Sequence, residues 1–495
     1  MNRRQFLAMT TAASSALLLG SCATTTNRYQ LPEAFTRPDE KLALTNVSIV
    51  DVQTGTIRRE NCILIQQGRI AGLFTREQWP SIQADREMDL HGAYVMPGLI
   101  NAHCHMTAPC GIAVGPSALF SYKRQVERNA EECVKHGVTT VRDMLSVADW
   151  VSGIQWLQDR IDRGKIAGPR ILRSVAIDIN NGYGDMLTNF STWESWYNVG
   201  SIKEAKKAVR SAAAHGADTI KLFQQETKLL MPCDDMPLMD RETVAAVCEE
   251  AARSGLPVAM HHMELGGLSK GLYGGVTTLE HMVCDGPIPD EAIEKLLENE
   301  TFMVPTITIP YGYAYPMNGD ENWGTESTTF YENLRADTLP GFLEEFCEPT
   351  FAEGTMGFYH KYSDPKSYEK RHIIPWVCPK IFNAFANQGV ENIKTLYQAG
   401  VKFGCGNDGG VPFVFPGNLG FEMLLLEEAG LKTADILKMA TINNAHVIGM
   451  EKDLGAVETN KIADLAVFAH NPLETAGNAL KPAMVFQAGQ VVFQA

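Results

Sequence analysis

Short apolar, β-branched runs recur along the chain and end in polar residues: LINAHCH at His105, TTVRDM at Asp143, PRILRSVA at Ala176, TIKLF at Phe223, PVAMHH at His262, TTLEHM at Met282, FMVPTIT at Thr308 and KFGCGND at Asp408. Stretches such as SIKEAKKAVRSAAAHG and DRETVAAVCEEAARSG lie between them, with apolar residues at helical spacing and a closing glycine. Strand followed by helix, repeated this way, predicts an α/β fold with a parallel sheet, and eight such units predict a closed (β/α)8 TIM barrel. Its functional residues belong at the carboxyl ends of the strands. No fixed sequence period supports a stacked helical repeat instead.

The flanks read differently. LALTNVSIVDV, CILIQQGRIAGLF and YVMPGLI precede the barrel, and ADLAVFAHNP and PAMVFQAGQVVFQA follow it; both ends are strand-like. One small β-sandwich built from residues 42–95 and 456–495 accounts for both, leaving 96–455 for the barrel. Within the barrel, the interval of about 309–378 is far longer than an ordinary βα loop. It carries Tyr311, Tyr313, Tyr315, Trp323, Phe330, Tyr331, Phe342, Phe346, Phe351, Phe358 and Tyr359. An aromatic insertion on the catalytic face predicts a wall or lid for a bulky apolar substrate; packing of the insertion's own small core or a subunit contact is the alternative.

Residues 1–22 stand apart from the fold. Arg3-Arg4-Gln5-Phe6-Leu7, an apolar run to Gly20 and then Leu19-Gly20-Ser21-Cys22 follow the basic, apolar, small-residue order of a bacterial export signal. The arginine pair resembles a twin-arginine signal and Leu-Gly-Ser-Cys a lipobox, which predicts a lipoprotein of the cell envelope or periplasm attached through Cys22. A cleaved secretory signal or an uncleaved anchor are the alternatives. Residues 23–41, without periodicity, read as a linker.

Composition narrows the partners. A net charge of −15, from 58 acidic and 43 basic residues, argues against nucleic acid and leaves a small-molecule substrate as the expected partner. Of the 11 cysteines none forms a CxxC pair and most sit in apolar runs, so buried thiols are expected rather than a disulfide framework.

The candidate chemistry lies at the predicted strand ends. In an extended strand His103 and His105 share a face, and two imidazoles there can hold one cation such as zinc. Alone, HxH is a weak motif. Lys221, His261, His281 and Asp408 join it, each at the end of another strand. Lys221 sits between Ile220 and Leu222, where a buried ammonium needs an acid such as Asp408 or must be neutralised, for example as a carbamate bridging two cations.

These motifs, VMPGLINAHCH, GVTTVRDM, GADTIKLF, PVAMHH, GVTTLEHM, GCGNDGG, ATINNAHVIGM and LGAVETNKIADLAVFAHNPL, resemble the amidohydrolase superfamily over nearly all of residues 42–495. The similarity is to the imidazolonepropionase-related branch, which includes carboxylated-lysine dipeptidases of the Xaa-Pro and Xaa-Arg type. The resemblance implies two divalent metal ions, zinc foremost, with His103, His105 and Asp408 on one, His261 and His281 on the other, and carboxylated Lys221 between them. It further implies hydrolysis of an amide or peptide-type C–N bond in a dipeptide or N-acyl amino acid by a metal-bridging hydroxide, with Asp408 carrying the proton.

Two departures from the family pattern stand out. His261-His262-Met263-Glu264 replaces the usual HAHG, so a slip of one residue exchanges His261 and His262, and Glu264 invites a mononuclear reading as a cyclic-amide hydrolase or deaminase. Asn407 stands where threonine commonly precedes the aspartate. A catalytically silent binding protein is the non-enzymatic alternative. Arg142 is a candidate substrate-carboxylate clamp or a structural partner of Asp143.

Overall fold

The computed structural model describes residues 40–79, 82–108, 110, 116–145, 153–188, 196–226, 236–309, 339–362, 384–410 and 414–495. The signal, Cys22 and nearly all of the linker lie outside these, as do Tyr311, Tyr313, Tyr315, Trp323, Phe330 and Tyr331.

Five strands open the described chain: β1 (Leu42–Asp51), β2 (Thr56–Gln66), β3 (Arg69–Thr75), β4 (Arg86–Asp89) and β5 (Tyr94–Pro97). Gly98 separates β5 from β6 (Leu99–Cys104), the first barrel strand. There follow β7 (Val138–Asp143), β8 (Arg170–Ile179), β9 (Trp196–Val199), β10 (Thr219–Phe223), β11 (Val258–His261), β12 (Thr278–Glu280) and β13 (Phe302–Val304). The carboxyl end adds β14 (Leu465–Phe468), β15 (Met484–Gln487) and β16 (Gln490–Gln494).

Both ends of the chain join one sheet in the order β16-β15-β14-β5-β1-β2-β3, with β4 beside β1. Its pairings are antiparallel except those of β1 with β4 and β5. The free edge of β3 turns back onto residues 460–463, where Ile70 N donates to Lys461 O and Ala463 N to Gly68 O, both at 2.9 Å. The sheet thereby closes over a private core of Leu44, Ile49, Ile63, Ile70, Leu465 and Phe486, giving the β-sandwich expected from both ends.

The second sheet is parallel, in the order β13-β12-β11-β10-β8-β7-β6, and β9 adds to the carboxyl end of β8. Residues 403–409 fill the eighth position, bridging Met303 to Phe403 and Cys104 to Gly409. The barrel order follows the order of the eight apolar runs; β9 is an addition they did not announce. The helices between are held as their sequences suggest. Ser201 caps Ile202–Ala214, which buries Ala205, Val209 and Ala212, and Asp240 caps Arg241–Arg253, which buries Val244, Val247 and Ala251. Among the described residues no helix is long and apolar enough to cross a membrane.

A buried ion pair ties barrel to sandwich. Arg170 on β8 places Nη1 2.6 Å from Asp464 Oδ2 and 2.9 Å from Thr140 Oγ1, and Asp464 Oδ1 accepts from Ala488 N at 2.8 Å. Removing one partner of such a pair costs about 3–5 kcal/mol, because the other charge is left buried alone.

The described part of the insertion forms helices Leu339–Phe346 and Pro349–Tyr362. Phe346 stacks on His136 and Phe415, with centroids 4.8 and 5.1 Å apart, and Phe351 is buried beside it in the main core. Gln125, on helix Pro116–Lys135, donates to Phe346 O at 3.0 Å and accepts from Glu348 N at 2.7 Å. These two phenylalanines therefore pack the insertion against the barrel's first helix instead of lining a substrate wall. Eight described cysteines are free, seven of them buried.

Candidate metal centre

Strand alternation decides what faces the barrel axis. On β10 Ile220 and Leu222 enter the outer apolar core, so Lys221 between them points inward. On β11 Met260 lies against Gly271 of the following helix, which turns Ala259 and His261 inward, in register with Lys221 and Phe223. His262 packs with Met260's side, its Cβ near Gly267 and its Nδ1 3.0 Å from Glu280 O. The structure thus brings His261, not His262, to the centre. The rings of His261 and His281 are 4.4 Å apart, and those of His281 and His103 4.9 Å.

The eighth barrel segment reaches the first by close backbone approach. A Cβ on Gly406 would lie 2.7 Å from His103 Cβ, and one on Gly410, at φ +135°, 2.5 Å from His105 Cβ, so the glycines of GCGNDGG let Asp408 come alongside both histidines. Asp408 Oδ1 is 3.1 Å from His103 Nε2 and 2.8 Å from His105 Nε2. His103, His281 and Asp408 offer ligand atoms all within 4.8 Å of one another. His281 and Asp408 both adopt the left-handed region, at φ 70° and 52°, a cost that local structure must override. Asn407 does so in part: its Oδ1 accepts from Asn101 Nδ2 at 2.8 Å and Gly409 N at 2.9 Å, and its Nδ2 donates to Phe415 O at 2.7 Å.

Each of three imidazoles has one ring nitrogen engaged by a protein group outside the proposed ligand set. His103 Nδ1 is 2.7 Å from Glu280 Oε2, His281 Nδ1 2.7 Å from Thr306 Oγ1, and His261 Nε2 3.2 Å from Gln225 Oε1. Burial holds His261 and His281 well below the usual imidazole range, so both are neutral at pH 7, the state in which imidazole binds a cation. Burial pushes Asp408 up, yet the imidazoles of His103 and His105 outweigh it and keep the carboxyl well below its ordinary value. Burial lowers the Lys221 ammonium to about 8, against the opposing pull of Glu280 and Asp408.

Lys221 Nζ and Asp408 Oδ1 are buried without a hydrogen-bond partner among the described residues. The ring nitrogens of His103 and His105 approach Oδ1 closely without hydrogen-bond geometry. Neutral imidazoles, an ionised carboxylate and an unsatisfied amine are a donor set that fits divalent cations and that the protein alone leaves incomplete.

Several partners were not readable from the strand ends. Glu280 joins His103 to Arg142, whose Nη2 lies 2.6 Å from Glu280 Oε1, and Thr278 Oγ1 donates to the same oxygen at 2.6 Å. Arg142 is fully buried, so it is neither a substrate clamp nor a partner of Asp143; that carboxylate accepts instead from Met106 N at 2.7 Å. Tyr183 lies flat on His261, with centroids 4.5 Å apart and an 18° tilt, and burial next to Asp408 keeps its phenol protonated. Its only sequence signal is a lone aromatic in the NNGYGD turn after β8.

Two buried carboxyls brace these loops. Asp178 accepts from Gly184 N at 2.6 Å and Ile179 N at 2.8 Å, and Glu422 accepts from Ile307 N at 2.9 Å and Thr308 N at 2.8 Å. Burial raises both to about 7. A carboxyl raised on folding binds its proton more tightly in the native state, so the stability it contributes is complete below the unfolded pKa and is lost as pH rises through about 7. Replacing both, as Asp178→Asn with Glu422→Gln, is expected to shrink the loss of stability between pH 5 and pH 8 by on the order of 2 kcal/mol per group, read as a smaller fall in melting temperature. An equal fall in wild type and variant in thermal unfolding would contradict this.

Comparison with known proteins follows the same lines. The amidohydrolase family model matches residues 94–492. The dihydroorotase of Brevibacillus brevis is 26% identical over 196 residues, 39% of this chain and 43% of that protein. The chain spans less than half the length of the curated relatives it matches. Among solved structures, a proposed prolidase from Bifidobacterium longum is 26% identical with a TM-score of 0.65, over 92% of this chain and 95% of that one. A Xaa-Pro dipeptidase with methionine in its active site gives 22% and 0.66, over 92% and 100%. With its motifs spread over a barrel whose strand ends gather imidazoles and carboxylates, the chain belongs to the amidohydrolase family.

Proposed function

We propose that this protein is a binuclear amidohydrolase that cleaves the amide or peptide-type bond of a small substrate, a dipeptide or an N-acyl amino acid. The observation that carries the binuclear reading is Lys221: a buried amine, lowered to about 8, with no hydrogen-bond partner among the described residues. Burying it as a lone ammonium is costly. Its neutral amine can attack carbon dioxide and lose a proton, leaving a carbamate anion suited to bridge two cations. In this reading His103, His105 and Asp408 would hold one zinc-like ion and His261 and His281 the second, with Lys221 as the ligand the two would share. Divalent metals at such a site supply Lewis acidity toward the scissile carbonyl and lower the pKa of water. Asp408, kept ionised beside its two histidines, takes the proton from the attacking water and delivers it to the leaving nitrogen. The 0%-exposed Glu280 holds His103 in orientation, and Tyr183 packs the face of His261.

The proposed prolidase likeness favours dipeptides within this class. The basic, apolar and lipobox-like order of residues 1–22 supports export to the cell envelope with lipid on Cys22, and the division into a sandwich of 42–95 with 456–495 around a barrel of 96–455 shifts by two residues, since β5 runs to Pro97 within the sandwich sheet. The test of substrate class is a panel of Xaa-Pro and Xaa-Arg dipeptides, N-acyl amino acids and cyclic amides, assayed with the metal-replete enzyme. Turnover of peptide or N-acyl bonds is expected; turnover confined to cyclic amides would reject the proposal.

A further inference from the structure

Glu264 is 3% exposed, and in a mononuclear enzyme it would be the proton shuttle. The hydrogen bonds around it describe another task. Its Oε2 accepts from Gln225 Nε2 at 2.9 Å and from the Glu226 backbone N at 2.8 Å. Gln225, 1% exposed, presents Oε1 to His261 Nε2 at 3.2 Å. An ionised carboxylate only accepts hydrogen bonds, so Glu264 requires the NH2 side of the Gln225 amide. The carbonyl side is then the one facing His261, and a carbonyl only accepts. His261 must therefore carry its hydrogen on Nε2, which leaves the lone pair of Nδ1 free.

The same segment is held from behind. Gln224 pairs both its amide atoms with Met239, donating to its O and accepting from its N at 2.9 Å each. Gly267 of the helix Leu265–Gly274 comes so close that an added Cβ would stand 2.4 Å from Gln224 O. The loop after β10, the strand of Lys221, is thus stapled to the loop after β11, the strand of His261.

We infer that Glu264 is a positioning residue which, through Gln225, selects the tautomer of His261 that offers Nδ1 to a metal. The inference rests on the metal-site reading above, but not on there being two metals. Three variants test it, Glu264→Gln, Gln225→Glu and both together, with affinity for Zn2+ measured by competition with a chromophoric chelator. Gln225→Glu sets two acceptors face to face and is expected to weaken metal binding by about 10–100-fold, whereas Glu264→Gln, whose amide oxygen still accepts from Gln225 Nε2 but without the negative charge, is expected to weaken it by a few-fold; neither change should alter the shape of the pH profile of kcat at saturating metal. In the double variant a carboxylate at 225 accepts both from His261 and from the amide at 264, so most of the affinity should return. A bystander role would not be rescued by exchanging the two residues.

Loss of kcat in Glu264→Gln with metal affinity intact would overturn the inference and make Glu264 the proton shuttle. Unchanged affinity in both single variants, or a double variant no better than Gln225→Glu, would overturn it too. The same titration on wild type counts metals: a single metal defeats the binuclear proposal, while the effect of the exchange on that one affinity still judges Glu264.

Discussion

Asp408→Asn is expected to abolish hydrolysis, by about 10³-fold or more, while leaving the fold and its melting temperature close to wild type. The substitution is nearly isosteric, and asparagine tolerates the left-handed backbone that Asp408 adopts at φ 52°, so little strain is added. What is lost is chemistry. The carboxylate is held ionised between His103 and His105 and can receive a proton at neutral pH; an amide cannot. It also loses the negative charge that two imidazoles share with any cation placed among them. Steady-state assays on the metal-replete variant check this, and turnover above a tenth of wild type would show that another group moves the proton.

Much of this centre was legible because strands impose a period of two and barrels gather strand ends. His103, His105, Lys221, His261, His281 and Asp408 lie on six different positions of the sequence, yet each follows an apolar run, and the fold brings these ends together. The choice between His261 and His262 needed the neighbouring helix, since only the contact of Met260 with Gly271 fixes which face is inward. Partners one layer out were not legible. Glu280 looks like an ordinary residue before His281, and its bonds to His103 and Arg142 link strands far apart in the chain. Gln225 and Thr306 lie in loops, where no periodicity marks an inward side chain. Phe346 and Phe351, the insertion aromatics whose side chains are described, show the opposite case: aromatics are conspicuous in sequence, but burial of these two against the first helix is a packing outcome that composition does not distinguish from a pocket wall.

The central claim is that Lys221 bridges two metals, and Lys221→Ala should have the second large effect. Among the described residues no protein group satisfies this buried amine, so without metal the variant is expected to fold at least as well as metal-free wild type. It should nonetheless lose the bridging ligand, at least one metal and nearly all activity. The measurement is metal content per chain, together with the intact mass of gently prepared protein, for wild type and Lys221→Ala. The account predicts about two metals in wild type, the added mass of one carbon dioxide, and loss of both that mass and a metal in the variant. One metal per chain, unchanged by the substitution, would contradict it.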